Sequence, residues 1–527
     1  MTDFAERRPY NAVSDFVDAN VARGLGGRIA FNDGGRTLTF GALQDATCHF
    51  ASRLSELGLK PESRIALAML DTVDFPIAFW GAIRAGVVCV PLNTLLNAEQ
   101  YAYMLGDSRA EAVIVSAPLA KTIAPIVGGL SQLRSIVIAG GGPDDRTLFP
   151  GHEVHLFEDV LARGKADPWT APTISDEVAF WLYSSGSTGV PKGTKHVHSS
   201  LMATADLYGQ RVLGIRADDV VYSAAKLFFA YGLGNAMSFP MSVGATAVLF
   251  PSRPTPDTVF ELMRREQPTI FYGVPTLYAA LLARNDLPRG AGSERLRICV
   301  SAGEALPAHI GEHWRQRVGV DILDGIGSTE MLHIFLSNRE GDIRYGSSGK
   351  PVPGYDARIL GDDGQEVGID EVGELVVRGP SAAEGYWNQR AKSRRTFAGE
   401  WTYTGDKYVR DADGYYYCRG RTDDMFKVSG VWVSPFEVEA ALVAHEAVLE
   451  AAVIGKEDQD GLTKPKAFIV LKQGYEADAR LVEALQTHVK DKAGPWKYPR
   501  WVEVRTELPK TATGKIQRFV LRQQESQ

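Results

Sequence analysis

Apolar and polar positions alternate between two patterns along the N-terminal part of the chain. Short apolar runs bounded by turn residues are typical of buried parallel strands, and they lie at 64–70, 87–91, 112–115, 135–139, 246–250, 270–272 and 296–301. Between them, apolar residues recur every three or four positions. The stretch that follows Thr39 and ends before Gly58 has both cap signals of an amphipathic helix. Strands and helices in this alternation predict a doubly wound α/β region.

The pattern changes twice further along the chain. From about 352 to 419, short strands, Gly and Asp turns and many aromatic residues predict an antiparallel, β-barrel-like sheet. After 422, Ser434 and Glu437 form a capping-box signature. The elements expected there are a helix to about 444, strands at 451–455, 467–471 and 502–505, and a helix at 478–492. We therefore predict an α/β fold with a large N-terminal domain (1–421) of doubly wound α/β subdomains plus the small sheet, and a small mobile α+β cap domain (422–527).

Composition narrows the class of protein without identifying it. The 57 Lys+Arg and 64 Asp+Glu residues give a net charge of −7, and 45% of the 527 residues are apolar, so we expect a globular chain that does not bind nucleic acid. The longest apolar stretch, around 65–92, is interrupted by charged residues, and no signal peptide is visible, so we expect no membrane association. Four scattered cysteines without a CxxC pair predict reduced thiols in a cytoplasmic protein.

The densest chemical signal is the run YSSGSTGVPKG at 183–193, directly behind an apolar strand. Glycines and small hydroxyl residues let backbone N–H groups approach phosphate oxygens, and Lys192 adds a positive charge. The run is neither a Walker A loop nor a nucleophile elbow, because Val190 follows the second glycine and Ser185 stands where GxSxG needs glycine. A flexible linker is the alternative, but linkers seldom follow a buried strand directly.

Four further motifs suit contact with a nucleotide, although each alone is as typical of a turn or a solvated surface. Glu330, which ends GIGSTE, offers a carboxylate to Mg²⁺, and its presence excludes a GxGxxG dinucleotide fingerprint. Asp406 in YTGD suits contact with both hydroxyls of a ribose, and Arg421 in GRTDDMFK suits contact with the same sugar or with a phosphate. In PKTATGKIQR, at 509–518, a lysine stands on a Thr/Gly loop near the C-terminus.

Taken together, these motifs resemble those of the acyl-adenylate-forming superfamily in order and approximate spacing. That superfamily contains acyl-CoA synthetases, firefly luciferase and the adenylation domains of peptide synthetases, and the resemblance covers essentially the whole chain. Three segments look like benzoate–CoA ligases in particular. They are AAKLFFAYGLGN at 224–235, DGIGSTEMLHIFLS at 324–337 and RTDDMFKVSGVWVSP at 421–435.

The resemblance implies where ATP binds. The loop at 184–192 would cover the β- and γ-phosphates, Thr329 would contact the α-phosphate, and Glu330 would hold Mg²⁺. Adenine would lie against the segments at 301–305 and 324–326, and the ribose would lie beside Asp406 and Arg421. The implied ATP-site residues are Ser184, Ser185, Gly186, Ser187, Thr188, Gly189, Lys192, Gly303, Glu304, Ala305, Asp324, Gly325, Ile326, Asp406 and Arg421.

For catalysis the resemblance implies Lys515, which would bridge the substrate carboxylate and the α-phosphate beside Thr329 and Glu330. A carboxylate that attacks a phosphate builds negative charge on the phosphorus oxygens, so Mg²⁺ and a mobile lysine suit the step, and no enzyme nucleophile is needed. In the second half-reaction the cap domain would rotate about a hinge. The implied hinge and CoA-path residues are Asp423, Lys427 and Gly430.

The acyl pocket of the relatives corresponds here to Phe229, Ala230, Tyr231, Ala302, Gly327, His333 and Ile334. Aromatic faces beside small residues predict a short, flat, apolar slot that fits a phenyl ring. His333 is ambiguous, because its spacing alone favours a hydrogen-bonded core histidine, whereas the resemblance implies contact with the ring edge. Phe229 and Lys226 stand where relatives often have His and Pro, so Phe229 is interpreted only as a pocket wall.

The leading hypothesis is an ATP-dependent ligase that makes benzoyl-CoA from benzoate, with ATP, Mg²⁺ and coenzyme A as cofactors and co-substrates. One alternative is a ligase for another small aryl or cyclic acid, such as a hydroxy-, amino- or halobenzoate. Others are an enzyme that loads a separate carrier protein and a nucleotide-binding regulator, although Glu330 and Lys515 argue against the regulator. An exposed lysine such as Lys515 is also a candidate for reversible acetylation, so a lysine acetyltransferase and deacetylase are candidate partners.

Overall fold

Two large sheets with helices on their faces build the N-terminal part of the computed structural model, which describes residues 9–185, 191–421, 424–428, 431–459, 461–510 and 516–525. The first sheet has eight strands, six of them parallel. In spatial order these strands are Gly385–Tyr386, Pro191–Val197, Val178–Ser185, Val88–Pro91, Arg64–Ala68, Ala112–Ser116, Ser135–Ala139 and Glu153–Leu156.

The second sheet has nine strands, again with six parallel ones at its centre. In spatial order they are Lys350–Pro351, Ile334–Ser337, Ile322–Gly327, Ile298–Ser301, Ile270–Gly273, Val220–Ser223, Thr246–Val248, Ile29–Asn32 and Thr37–Thr39. The apolar runs of the sequence correspond to central strands of both sheets, which are buried on both faces. The runs did not reveal that the strands divide between two sheets, because this depends on pairing between distant segments. For example, Ile29–Asn32, near the N-terminus, pairs in parallel with Thr246–Val248.

Helices cover the faces of these sheets. The predicted helix behind Thr39 is Phe40–Glu56, and the Thr39 side chain accepts a hydrogen bond from the Ala42 N–H at 3.2 Å, as an N-cap should. The other α-helices of this part are Ala19–Ala22, Asp74–Arg84, Ala98–Ser108, Ala117–Ile123, Phe157–Arg163, His198–Thr204, Ala230–Leu233, Phe239–Val243, Pro256–Glu266, Pro275–Leu282, Ala308–Val318 and Arg390–Thr396. Short π- and 3₁₀-helical segments lie at Ser14–Asp18, Ala124–Gly129, Pro143–Leu148, Ala205–Gln210, Gly234–Ser238 and Arg289–Gly292.

A five-stranded antiparallel sheet follows, where the change of sequence pattern predicts one. Its strands are Asp356–Leu360, Gly373–Arg378, Phe397–Ala398, Trp401–Arg410 and Tyr416–Arg421. The last two strands pair so that Asp406 lies opposite Arg421. Two motifs that are distant in sequence are thereby brought to one edge of this sheet.

The C-terminal part is a small α+β unit, as predicted. It contains the hairpin Phe426–Val428 and Val431–Val433, the antiparallel pair Val448–Glu457 and Thr463–Leu471, the parallel strand Trp501–Val504, and the helices Pro435–Val443, Ala479–Ala493 and Arg518–Glu525. Its own core includes Val438, Val453, Ile469 and Leu485, all buried. Ser434 accepts the Glu437 N–H, but the Glu437 carboxylate pairs with Lys497 at 2.7 Å instead of completing the capping box.

Two features of the helices and cysteines bear on the expectations from the sequence. Across the ranges given above, no helix combines the length and the apolar character that crossing a bilayer requires. All four cysteines are free thiols, and Cys48, Cys89 and Cys299 are buried.

Candidate active site

The predicted phosphate loop joins two strands of a β-hairpin at one side of the first sheet. Val178–Ser185 and Pro191–Val197 are antiparallel, and Ser184 lies opposite Lys192. The Ser184 hydroxyl is buried and makes no hydrogen bond within the described part of the chain. Ser185 ends its strand opposite Pro191. The loop residues Gly186, Ser187, Thr188 and Gly189 lie outside the described residues.

Lys192, Glu330 and Tyr386 form a tight cluster beside this hairpin. The Tyr386 hydroxyl donates to Glu330 Oε1 at 2.7 Å, and Lys192 Nζ lies 3.3 Å from the same hydroxyl. Lys192 Nζ is also 3.6 Å from Glu330 Oε1 and 4.3 Å from the centre of the Tyr386 ring. Two predicted residues are thus joined by a tyrosine that the sequence analysis did not identify.

Burial and neighbouring charges have opposite effects on the pKa values of Lys192 and Glu330. Burial lowers the pKa of the Lys192 ammonium, although the nearby Glu330 carboxylate partly offsets the effect. Burial alone would raise the pKa of Glu330, but the charge of Lys192 and the Tyr386 hydroxyl outweigh it, so the pKa of Glu330 lies below its ordinary value. Glu330 is therefore a carboxylate near neutral pH and offers hard oxygen atoms to a cation.

The loop that carries Thr329 is held by a second residue missed in the sequence, His196. His196 Nε2 lies 2.8 Å from the Thr329 carbonyl oxygen, and the imidazole stacks on Phe180 with ring centres 5.2 Å apart. Burial lowers the pKa of His196 to about 4, so the ring is neutral at physiological pH. Since a carbonyl only accepts, Nε2 carries the proton, and the bond fixes the position of the Thr329 backbone.

The segments assigned to adenine lie at the ends of neighbouring parallel strands. Ser301 and Asp324 are register partners, so the segments at 303–305 and 324–326 start side by side. Gly303 adopts a φ of +100°, which favours glycine. Asp324 Oδ2 accepts the Leu306 N–H at 3.3 Å, whereas the buried Oδ1 has no hydrogen-bond partner among the residues described. Burial raises the pKa of Asp324 to about 8.

This pKa gives a testable pH dependence. Between about pH 4 and pH 8 the folded protein keeps Asp324 protonated, while the unfolded chain ionises it, so folding binds a proton and stability falls as pH rises. Asp324→Asn removes this linkage. We expect its stability advantage over the wild type to grow up to about pH 8, by at most about 1.4 kcal/mol per pH unit, and then to level off. Urea unfolding of the ligand-free proteins from pH 5.5 to 9 measures it.

A matched control is Asp362→Asn, which changes a carboxylate whose side chain is 98% exposed. This variant should follow the wild-type pH profile. If Asp324→Asn also follows it, Asp324 does not carry the proton that folding takes up.

The predicted ribose residues are a cross-strand pair. Arg421 Nη1 lies 3.7 Å from Asp406 Oδ1, and half of the Arg421 side chain is exposed. The charge of Arg421 contributes to the pKa of both Lys192 and Glu330, although more weakly than burial and than the charge that each of these two residues exerts on the other. The structure therefore brings the motifs around 192, 330, 406 and 421 together at one site.

Among the predicted acyl-pocket residues, His333 is 4% exposed. His333 Nε2 is 3.1 Å from Asn235 Oδ1 and 3.3 Å from the Tyr231 carbonyl oxygen, and its ring centre is 5.6 Å from that of Tyr231 and 4.5 Å from that of Phe239. Burial lowers the pKa of His333 to about 3, so it is neutral. His333 is thus a hydrogen-bonded core histidine inside an aromatic cluster.

The other predicted pocket residues have the following contacts and burial. The Tyr231 hydroxyl donates to the carbonyls of Gly273 and Val300, both at 3.2 Å, which fixes the ring beside the strand before Ala302. Ala302 and Ile334 are buried, and Ala230 packs against the same core. The ring of Phe229 packs against that of Phe228, with centres 4.3 Å apart and planes inclined by 55°. Gly327 is required because an added Cβ would lie 2.5 Å from the His333 carbonyl oxygen.

The unusual Lys226 is anchored away from the pocket. Its ammonium bonds the backbone carbonyls of Phe250 and Ser252, the latter at 2.7 Å. The next residue, Leu227, donates its N–H to the buried Asp71 carboxyl, at 3.3 Å from Oδ1. These contacts hold the chain that leads into the predicted pocket wall at Phe229.

Several predicted residues cannot be placed. Lys515, Asp423 and Gly430 lie outside the described residues, and Lys427 is located only as the middle of the strand Phe426–Val428. The chain immediately after Lys515 is described: the Ile516 N–H donates to Glu304 Oε1 at 3.1 Å. Glu304 belongs to the predicted adenine segment, so the C-terminal part contacts the candidate site.

No local pattern could have identified Tyr386 or His196. Tyr386 reaches Glu330 because Gly385–Tyr386 pairs with the strand Pro191–Val197, with Tyr386 opposite Thr194. His196 lies on that same strand and reaches a residue 133 positions away. The tripeptide GYW at 385–387 does not by itself indicate contact with Glu330, because that contact depends on the pairing with Pro191–Val197.

Comparison with known proteins is consistent with this site. Residues 18–387 match the model of the AMP-binding enzyme family, and 437–515 match that of the AMP-binding enzyme C-terminal domain. The chain is 55% identical over 517 residues to a 4-hydroxybenzoate–CoA/benzoate–CoA ligase of Rhodopseudomonas palustris, covering 98% of this chain and 94% of that protein. It is also 55% identical to a benzoate–CoA ligase of Thauera aromatica, covering 97% and 96% respectively. The crystal structure of a benzoate CoA ligase from Burkholderia xenovorans LB400 is similar, with a TM-score of 0.90 and 49% identity over 97% of this chain and all of that one.

Proposed function

This chain belongs to the family of AMP-binding enzymes and is an acid–thiol ligase, and on that premise we propose that it converts benzoate, ATP and CoA into benzoyl-CoA, AMP and diphosphate. The reaction passes through a benzoyl-adenylate. The observation that carries the proposal is the 55% identity over nearly the full length to two ligases named for benzoate. The neutral, aromatic surroundings of His333 also fit an uncharged phenyl ring.

In the first half-reaction, the benzoate carboxylate attacks the α-phosphorus of ATP and diphosphate leaves. We assign phosphate contacts to the 184–192 loop, and the partly desolvated ammonium of Lys192 supports this role. Thr329 is assigned to the α-phosphate, with its backbone held by His196. Lys515 is assigned to the developing charge between carboxylate and phosphate.

We further propose that Glu330 holds a Mg²⁺ ion. Its carboxylate is ionised near neutral pH, and no cluster of three potential metal ligands is present in the ranges that the structure describes. One protein carboxylate combined with substrate phosphate oxygens is a usual way to bind this ion. When bound, the ion neutralises phosphate charge, while Tyr386 and Lys192 keep the Glu330 carboxylate in place.

For the second half-reaction we propose a hinge at 422–423. Arg421, before it, pairs with Asp406 of the N-terminal domain, whereas Asp424, after it, pairs with Arg522 of the last helix at 2.8 Å. Chain on the two sides is therefore tied to different domains, as a hinge requires. On this basis we propose that the N-terminal domain covers 1–421 and the cap domain 422–527. We also assign the segment with Lys427 and Gly430 to the CoA path, as the resemblance implies.

Three finer points belong to the same proposal. The four free thiols support a cytoplasmic location. Acetylation of Lys515 would remove the charge that adenylation needs, so an acetyltransferase and a deacetylase would act as an off and on switch. We expect no nucleic-acid partner, because the net charge is −7.

A panel of acids tests the proposal. AMP release and thioester formation are measured with benzoate, hydroxy-, amino- and halobenzoates, a cyclic acid and acetate, each with and without CoA. We expect benzoate to give AMP and benzoyl-CoA in equal amounts, and acetate to give neither. Higher kcat/KM for a substituted benzoate would reassign the substrate. AMP without any thioester would favour loading of a carrier protein, and no AMP from any aryl acid would contradict the proposal.

A further inference from the structure

Within the predicted catalytic motif at 509–518, the described residues on the two sides of 511–515 are tied to each other. Lys510 and Ile516 form an isolated antiparallel bridge across the base of the loop. The Gln517 N–H also donates to the Pro509 carbonyl oxygen at 2.8 Å. The two ends of the loop are therefore held side by side.

Both ends are also anchored in the body of the cap domain. Lys510 Nζ lies 2.5 Å from Glu450 Oε1, on the strand Val448–Glu457. On the other side, the buried Arg518 donates to both oxygens of Glu439, at 2.9 and 2.6 Å. Ile516 packs against the small core that includes Ile454 and Phe468. Ile516 and its neighbours in sequence are thus held by contacts with the rest of the cap domain.

Glu304 provides the contact from the opposite side. Its Oε1 accepts the Ile516 N–H at 3.1 Å across 212 residues of sequence, and it follows the strand Ile298–Ser301 of the second large sheet. The Ile516 nitrogen is the amide nitrogen of the peptide bond to Lys515, and that bond is planar and stiff. A carboxylate that binds this N–H therefore restrains the main chain next to the catalytic lysine.

We propose that Glu304 is a positioning residue for adenylation: by binding the Ile516 amide, it restrains the main chain next to Lys515. This inference rests on the proposed two-step function. The bond joins the N-terminal domain to the cap domain, so it exists in the domain orientation of this structure and must break when the cap domain rotates. Glu304 consequently favours the first half-reaction over the second.

The test compares Glu304→Ala with Glu304→Gln, which keeps an oxygen acceptor. Adenylation is measured by benzoate-dependent diphosphate–ATP exchange, and the second half-reaction by thioester formation from supplied benzoyl-adenylate. A hydrogen bond to a carboxylate accounts for about 10- to 100-fold in an equilibrium, so we expect kcat of exchange to fall by that factor in Glu304→Ala. KM for ATP and the thioester step should stay within about twofold of wild type, and Glu304→Gln should recover most of the exchange rate.

A coupling experiment separates positioning from folding and from nucleotide binding. In a Lys515→Ala background, Glu304→Ala should lower the residual exchange rate no further, because the loop it positions has lost its lysine. Glu312→Ala removes an exposed carboxylate on the nearby helix Ala308–Val318 and should behave as wild type.

Three results would overturn the inference: equal losses in both half-reactions, a Gln variant as impaired as the Ala variant, or a raised KM for ATP with unchanged kcat. The last result would make Glu304 a nucleotide contact only. Failure of the proposed function has a different signature, since the wild-type protein itself would then release no AMP with any aryl acid.

Discussion

Lys515→Ala is expected to lower benzoyl-adenylate formation by several orders of magnitude, while thioester formation from supplied benzoyl-adenylate largely survives. In adenylation two anions must approach each other, and the charge that develops on the phosphorus oxygens needs a cation close by. The thioester step starts from an adenylate that already exists, so it does not need this cation. Diphosphate–ATP exchange and the release of benzoyl-CoA from added adenylate measure the two steps separately.

Lys492→Ala is the matched control for this prediction, because it removes an exposed lysine of the same domain, in the last turn of the helix Ala479–Ala493. It should retain both half-reactions. Equal losses of the two half-reactions in Lys515→Ala would contradict the assignment, since they would indicate a general structural role.

Glu330→Gln should lower adenylation about 100- to 1,000-fold, which is the size of effect seen when a charged group that stabilises a transition state is removed. The amide keeps the shape but loses the charge that pairs with Lys192 and that would bind Mg²⁺. Tyr386→Phe should have a smaller effect, about 10-fold, because it removes only the 2.7 Å hydrogen bond to Glu330 and keeps the ring beneath Lys192. Exchange rates over a range of Mg²⁺ concentrations give both values.

The dependence of the exchange rate on Mg²⁺ concentration tests directly whether Glu330 binds the ion. Both variants should need more Mg²⁺ for half-maximal activity, with Glu330→Gln shifted further than Tyr386→Phe. Glu384→Gln, a change of an exposed carboxylate two residues before Tyr386, is the control and should not shift. If Glu330→Gln loses activity while its Mg²⁺ dependence stays that of the wild type, Glu330 does not bind the ion.

Much of the fold could be predicted because its signals are local. The strand predicted at 135–139 is Ser135–Ala139, and the helix predicted behind Thr39 ends two residues before Gly58. Local signals were weaker where a residue distant in sequence decides how far a strand extends or how a helix is capped. The apolar run before the phosphate loop ends at Leu182, yet pairing with Pro191–Val197 extends the strand to Ser185. The capping box at Ser434 is only half formed because Lys497, 60 residues away, takes the Glu437 carboxylate.

By itself, the sequence determined which chemical groups are available and in what order they follow one another. These are a loop of glycines and small hydroxyl residues, a carboxylate behind a small-residue turn, an Asp and an Arg predicted to bind ribose, and a lysine predicted to act in catalysis. Only the tertiary structure decided which groups touch. Tyr386 joins Lys192 to Glu330, His196 supports Thr329, and Glu304 reaches Ile516. It also decided the pKa of Asp324, which burial in the folded protein raises to about 8. The physical reason is that hydrogen bonds, desolvation and charge act over a few ångströms in space, whereas these partners are 56 to 212 residues apart along the chain.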